Sequence, residues 1–152
     1  MTHATGPLAG LVVADFSRVL AGPYATMMLG DMGAEVIKIE RPGTGDDTRS
    51  WGPPHDSAGT ATYFNSVNRN KTSRFIDLQS ESGAAEVREI ISGADIVIEN
   101  FRAGAMDRLG LGYSMLSQRN PGLIYCSITG FGTGGGAALR DTTWWFKRSA
   151  GL

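Results

Sequence analysis

The chain has 152 residues, 41% hydrophobic and 19% charged, and its 14 basic and 15 acidic side chains leave a formal charge of −1. That length suits one domain, the apolar fraction excludes a disordered or collagen-like chain, and the single Cys126 excludes a disulfide scaffold. Balanced charge argues against a general nucleic-acid or membrane-surface binder, while leaving room for a local basic pocket.

The first strand is predicted over Leu11–Phe16 (LVVADF). A turn through Ser17–Gly22 leads into a helix from Pro23 to Met32, with Tyr24, Met27, Met28 and Met32 on one face and Gly33 as its stop. EVIKIE, Glu35–Glu40, is a second strand. The following PGTGDDTRSWGPPHDSAGT, 42–60, is too rich in Gly, Pro and Asp for regular structure; a loop of that length is often functional, and Asp46 and Asp47 within it read as a solvated turn. A short helix at Thr62–Val67 precedes a third strand at Ser73–Leu78. Ser80 caps a helix from Glu81 to Ser92 whose stripe is Ala84, Val87, Ile90 and Ile91, and Gly93 ends it. Ala94–Phe101 and Leu123–Thr129 complete five strands, with Cys126 read as core. Near-continuous apolar strands alternating with helices predict an α/β fold, a parallel sheet covered on both faces with right-handed crossovers.

Ligands of such sheets bind beyond the carboxyl ends of the strands. There the sequence places Arg18 after the first strand, Arg41 after the second and Arg102 after the fourth, beside a helix start at Gly22-Pro23. Each arginine alone could be a solvated strand end. Together with the helix dipole, three guanidinium groups suit a polyphosphate. Asn68-Arg69-Asn70-Lys71 is a second polar cluster, which composition alone reads as a turn.

Other signals fail. Gly130-Phe131-Gly132-Thr133-Gly134-Gly135 fits G-x-G-x-x-G but lacks the helix and acidic strand that a dinucleotide site needs. His3 and His55 have no metal-ligand spacing, and no base, nucleophile and orienting group assemble. The Asn70-Lys71-Thr72 sequon is uninformative without a secretion signal, which MTHATGPLAGLVVADF does not resemble. No apolar run approaches the ~20 residues of a membrane span, so a cytoplasmic location is expected.

ADFSRVLAGPYATMMLGDMGAEVIKIERPGTGDDTR, YFNSVNRNKTS, ADIVIENFRAGAMDRLGLGY and NPGLIYCSITGFG, in that order and spacing, closely resemble the N-terminal part of the family III CoA-transferases, the CaiB/BaiF group that includes the α-methylacyl-CoA racemases. The resemblance implies a Rossmann-like parallel sheet with flanking helices, forming the N-terminal part of a large domain. It implies no metal or redox cofactor, with a coenzyme A thioester and a carboxylate acceptor as substrates, and neither nucleic acid nor membrane as partner. By motif position, it places CoA contacts on Val19, Leu20, Ala21, Arg41, Asn68, Arg69, Asn70, Lys71, Asn100, Phe101, Arg102 and Arg108, with Arg18 an additional anion-binding candidate. Leu20 stands where oxalate-type members carry Gln, which argues against formyl-CoA:oxalate specificity. Family transferases use a nucleophilic aspartate and racemases an acid–base pair with a Gly-His-Asp histidine. Both lie downstream of the Gly-Phe-Gly segment, so no catalytic residue is expected here.

The ending Asp141-Thr142-Thr143-Trp144-Trp145-Phe146-Lys147 departs from the family pattern. Read one base earlier, its codons permit Gly-(Tyr/His)-Asp-Leu-Val-Val-Gln, the continuation the family would have. The expectation is an authentic α/β portion over 8–136 and an out-of-frame tail over 137–152. The resulting chain is the CoA-binding portion of an acyl-CoA:carboxylate CoA-transferase, inactive alone. The alternatives are a racemase-type enzyme and a vestigial, non-catalytic CoA-binding fragment. Full-length members form an interlocked homodimer; without the C-terminal return path, aggregation through an exposed apolar sheet face is expected instead.

Overall fold

Five short segments form strands in the computed structural model, which describes residues 5–132 and 134–136, and the branched runs of β1, β2 and β4 form its centre. The element order is β1 (Val12–Asp15), α1 (Ala21–Asp31), β2 (Glu35–Glu40), one 3₁₀ turn (Asp47–Ser50), α2 (Thr62–Asn68), β3 (Lys71–Phe75), α3 (Glu81–Ser92), β4 (Ile96–Glu99), α4 (Ala105–Arg108), α5 (Tyr113–Arg119) and β5 (Ile124–Ser127). All four strand pairings are parallel, in the order β3-β2-β1-β4-β5. The chain thus moves outward from β1 to β3, then returns to the other side of β1 for β4. That reversal puts a topological switch point, and the crevice that goes with it, at the carboxyl ends of β1 and β4.

Side-chain alternation along the strands gives the sheet two different faces. Ala14, Phe16, Ile39 and Val97 pack with Val87 and Ile91 of α3, Met106 of α4 and Leu116 of α5 in the larger apolar core. On the other face Val13, Val36 and Ile98 form a smaller cluster joined by Leu29 of α1. The same face carries Asp15, Lys38 and Glu40, all buried, so α1 and α2 cover a polar layer. Helix α3 keeps the predicted bounds, with Ser80 Oγ accepting the Gly83 N–H at 3.0 Å.

Several expectations are corrected. β3 begins at Lys71, earlier than predicted, because Lys71 pairs with Val36 and the chain turns at Asp77, whose carbonyl accepts the Ser80 N–H at 3.1 Å. Tyr24, Met28 and Met32 face outward at 51%, 48% and 37% exposure, whereas Gly22, Pro23, Thr26 and Met27 face the sheet. Gly22 is required there, since a Cβ would meet the Ser17 Cβ at 2.2 Å. β5 lies at the sheet edge, so Cys126 is exposed rather than core. Asp46 is only 1% exposed, not a solvated turn. Helices α4 and α5 were not anticipated. The expected tail, 137–152, lies outside the described residues.

Candidate functional site

The turn after β1 is fastened from three directions. Lys38 Nζ, from β2, donates to the Ser17 carbonyl at 2.8 Å. Asn100, just past β4, accepts the Arg18 N–H through Oδ1 and donates from Nδ2 to the Arg18 carbonyl, both at 2.8 Å. Asp46, from the 42–60 loop, accepts the Val19 N–H at 3.3 and 3.4 Å. Val19 has φ 69°, a left-handed backbone that a β-branched residue adopts only under constraint.

This turn directs Arg18 into a cavity of about 410 Å³ at the switch point, where Arg41, Arg102 and Arg108 join it against the apolar Phe101 and Ile76. The Arg18 guanidinium lies 4.8 Å from the Phe101 ring centroid, a cation–π contact. Burial pushes Arg18 below its usual pKa, and Arg41 beside it adds to the shift. Among the described residues, none of these four arginines has a carboxylate within ion-pair distance. Two acids also line the cavity: Glu40, bound to Arg49 through Nε at 2.7 Å and Nη2 at 2.6 Å, and Asp77, whose Oδ1 accepts the Gln79 N–H at 3.0 Å. An anion bound between the arginines would relieve their mutual repulsion.

The polar layer beneath α1 is internally satisfied. Lys71 Nζ donates to Asp15 Oδ2 at 3.1 Å, the Pro23 carbonyl at 2.8 Å and Asn68 Oδ1 at 2.9 Å. Asp15 also accepts Thr26 Oγ1 at 2.6 Å and both the hydroxyl and the N–H of Ser17. Burial pulls the Lys71 ammonium down to about 8, outweighing the attraction of Asp15. Arg69 and Asn70 bind Asp31 at the end of α1, and Arg69 holds the Asp31 carboxyl below its usual value.

The structure therefore brings Arg18, Arg41, Phe101, Arg102 and Arg108 to one cavity. Asn100 supports it through Arg18. Val19, Leu20 and Ala21 lead from the same turn into α1, with Leu20 at its N-cap, outside the cavity lining. Asn68 to Lys71 stand apart, at the amino-terminal end of β3, committed to the contacts above. Sequence reasoning missed Lys38 and Asp46, which form a buried ion pair at 3.1 Å. A lysine inside EVIKIE was the available signal, because a buried ammonium needs a partner.

Comparison with known proteins gives this geometry its context. The profile of CoA-transferase family III matches residues 8–143. The succinyl-CoA:glutarate CoA-transferase of Mus musculus is 52% identical over 129 residues, which cover 85% of this chain and 29% of that protein. The succinate–glutarate CoA-transferase of Agrobacterium fabrum is 50% identical over 140 residues, covering 89% of this chain and 35% of its own length. The crystal structure of a CaiB/BaiF family protein from Brucella suis superposes with a TM-score of 0.89 at 47% identity, covering 97% of this chain and 40% of that one. The chain spans about a third of the length of these curated relatives. With the family matching residues 8–143 and the fold superposing on a CaiB/BaiF structure at 47% identity, the chain belongs to CoA-transferase family III.

Proposed function

We propose that this chain is the CoA-binding portion of an acyl-CoA:carboxylate CoA-transferase, acting on thioesters of the short dicarboxylic acids for which its relatives are named. The observation that carries this reading is the convergence of Arg18, Arg41, Arg102 and Arg108 on one cavity, none of them ion-paired with a carboxylate among the described residues. Coenzyme A carries a 3′-phospho-ADP moiety, whose phosphates match the guanidinium groups and whose adenine suits the Phe101 ring. In the transfer an acyl group leaves the CoA sulfur and a carboxylate acceptor receives CoA. The resemblance places the family's nucleophilic aspartate downstream of Gly130-Phe131-Gly132, so this reading assigns CoA binding, and not the covalent step, to residues 8–136.

Calorimetric titration with CoA tests the reading. Arg41→Ala and Arg108→Ala are each expected to weaken binding about tenfold, the loss of one charge-assisted contact. Affinity unchanged in both variants overturns the assignment. Incubation with succinyl-CoA and glutarate is expected to give no glutaryl-CoA by chromatography, and turnover by this chain overturns the binding-only role.

A further inference from the structure

We infer that Asp46 is a positioning residue for the arginine cavity: with Lys38 it holds the Ser17–Val19 turn in the left-handed conformation that directs Arg18 inward, an inference that rests on the CoA-binding reading above. Val19 is one of two non-glycine residues with positive φ among the described residues, and the other, Asn70, is of a type that tolerates it. A valine there persists only where its surroundings over-determine it. Asp46 supplies that constraint with both oxygens engaged. Oδ1 accepts the Thr48 N–H at 3.1 Å and the Thr48 hydroxyl at 2.8 Å, which fixes the acid in the 3₁₀ turn. Oδ2 meets Lys38 Nζ at 3.1 Å, and the Val19 N–H lies between the two oxygens. Lys38 closes the circuit by donating to the Ser17 carbonyl at 2.8 Å. Glu40 fixes the loop from below, its Oε2 accepting the Asp46 N–H at 2.8 Å. An aspartate that only anchored the 42–60 loop would need the Thr48 and Lys38 contacts, not the one to Val19.

Because the Val19 N–H lies between both oxygens, an asparagine at this site sets an amide donor against it as well as against either Thr48 or Lys38, so it cannot keep all three contacts. The test measures Val19 amide exchange by NMR and CoA affinity by calorimetry on the full chain carrying Asp46→Asn, Val19→Gly, or both. Asp46→Asn is expected to speed Val19 exchange and weaken CoA binding, each about tenfold, the loss of a hydrogen bond to a charged group. In the Asp46→Asn background, Val19→Gly is expected to restore affinity to within about threefold, because glycine takes positive φ without strain. Unchanged exchange in Asp46→Asn overturns the inference. So does an affinity loss that Val19→Gly does not rescue, since Asp46 then acts through the loop. Should Asp46→Asn not fold, Lys38→Gln, which keeps a donor for Ser17 but removes the charge, carries the same expectations. Wild-type chain that binds no CoA would sink the functional reading instead, and Val19 exchange alone would then decide whether Asp46 holds the turn.

Discussion

Asn100 grips Arg18 by both of its main-chain polar groups, through two hydrogen bonds of 2.8 Å that span 82 positions of sequence. The pair joins the segment after β1 to the segment after β4, and so fixes the two walls of the switch-point crevice relative to each other. Asn100→Ala leaves an N–H and a carbonyl of Arg18 unmatched in a half-buried setting. The expected loss is about 1–3 kcal/mol of stability, read as a lower urea midpoint with unchanged slope.

Ionic strength offers a second check on the arginine cavity. Guanidinium groups gathered in one cavity would hold a polyanion by charge, so CoA affinity is expected to fall as sodium chloride rises. The slope against salt should be shallower in Arg102→Ala than in the unmodified chain. Equal slopes would remove Arg102 from the anion contacts.

How far the sequence discloses this site depends on which kind of residue is asked. Arg18, Arg41 and Arg102 were legible because strand ends in a parallel sheet have a known destination, and helix α3 because Ser80 and Gly93 bracket a clean apolar stripe. Asp46 was not, since an aspartate amid glycines has the composition of a solvated turn whether or not a lysine reaches it. The stripe of Tyr24, Met28 and Met32 misled for a related reason. Periodicity identifies a face but not its neighbour, and α1 lies on the sheet through Gly22, Pro23, Thr26 and Met27, with Gly22 almost touching Ser17. Cys126 in LIYCSIT looked two-sided because strand sequence does not say which strand is last in the sheet.

The contact at Gly22 predicts its own failure. A methyl group there would lie 2.2 Å from the Ser17 Cβ and 2.3 Å from its hydroxyl. Gly22→Ala is therefore expected to destabilise by about 1–3 kcal/mol, as overpacking does, although alanine is the better helix former. Thermal melting followed by circular dichroism decides it; a rise in Tm would show that α1 can lift from the turn without cost.

Lys71 gives a pH dependence with a definite sign. Its pKa is about 8 in the folded chain against an ordinary 10.5, because burial outweighs Asp15. Between those values the unfolded chain binds the extra proton, so this group's contribution to stability rises with pH through that window and is flat below it. Lys71→Met leaves the Asp15 carboxylate buried without its cation, at an expected cost of about 3 kcal/mol near neutrality. Urea unfolding of both proteins from pH 7 to 10 should show their difference in stability widening above pH 8. A difference that narrows would mean the charged ammonium is the favoured form.

The strand order 3-2-1-4-5 divides the sheet into a half built from residues 12–75 and a half built from 96–127, which meet along one seam between β1 and β4. Arg18 and Arg41 belong to the first half and Arg102 and Arg108 to the second. A polyanion gripped by all four is therefore a cross-brace over that seam. Such a ligand would resist the hinge-like parting of the halves more than the fraying of either outer strand, stiffening the sheet at its middle and leaving its edges as they were.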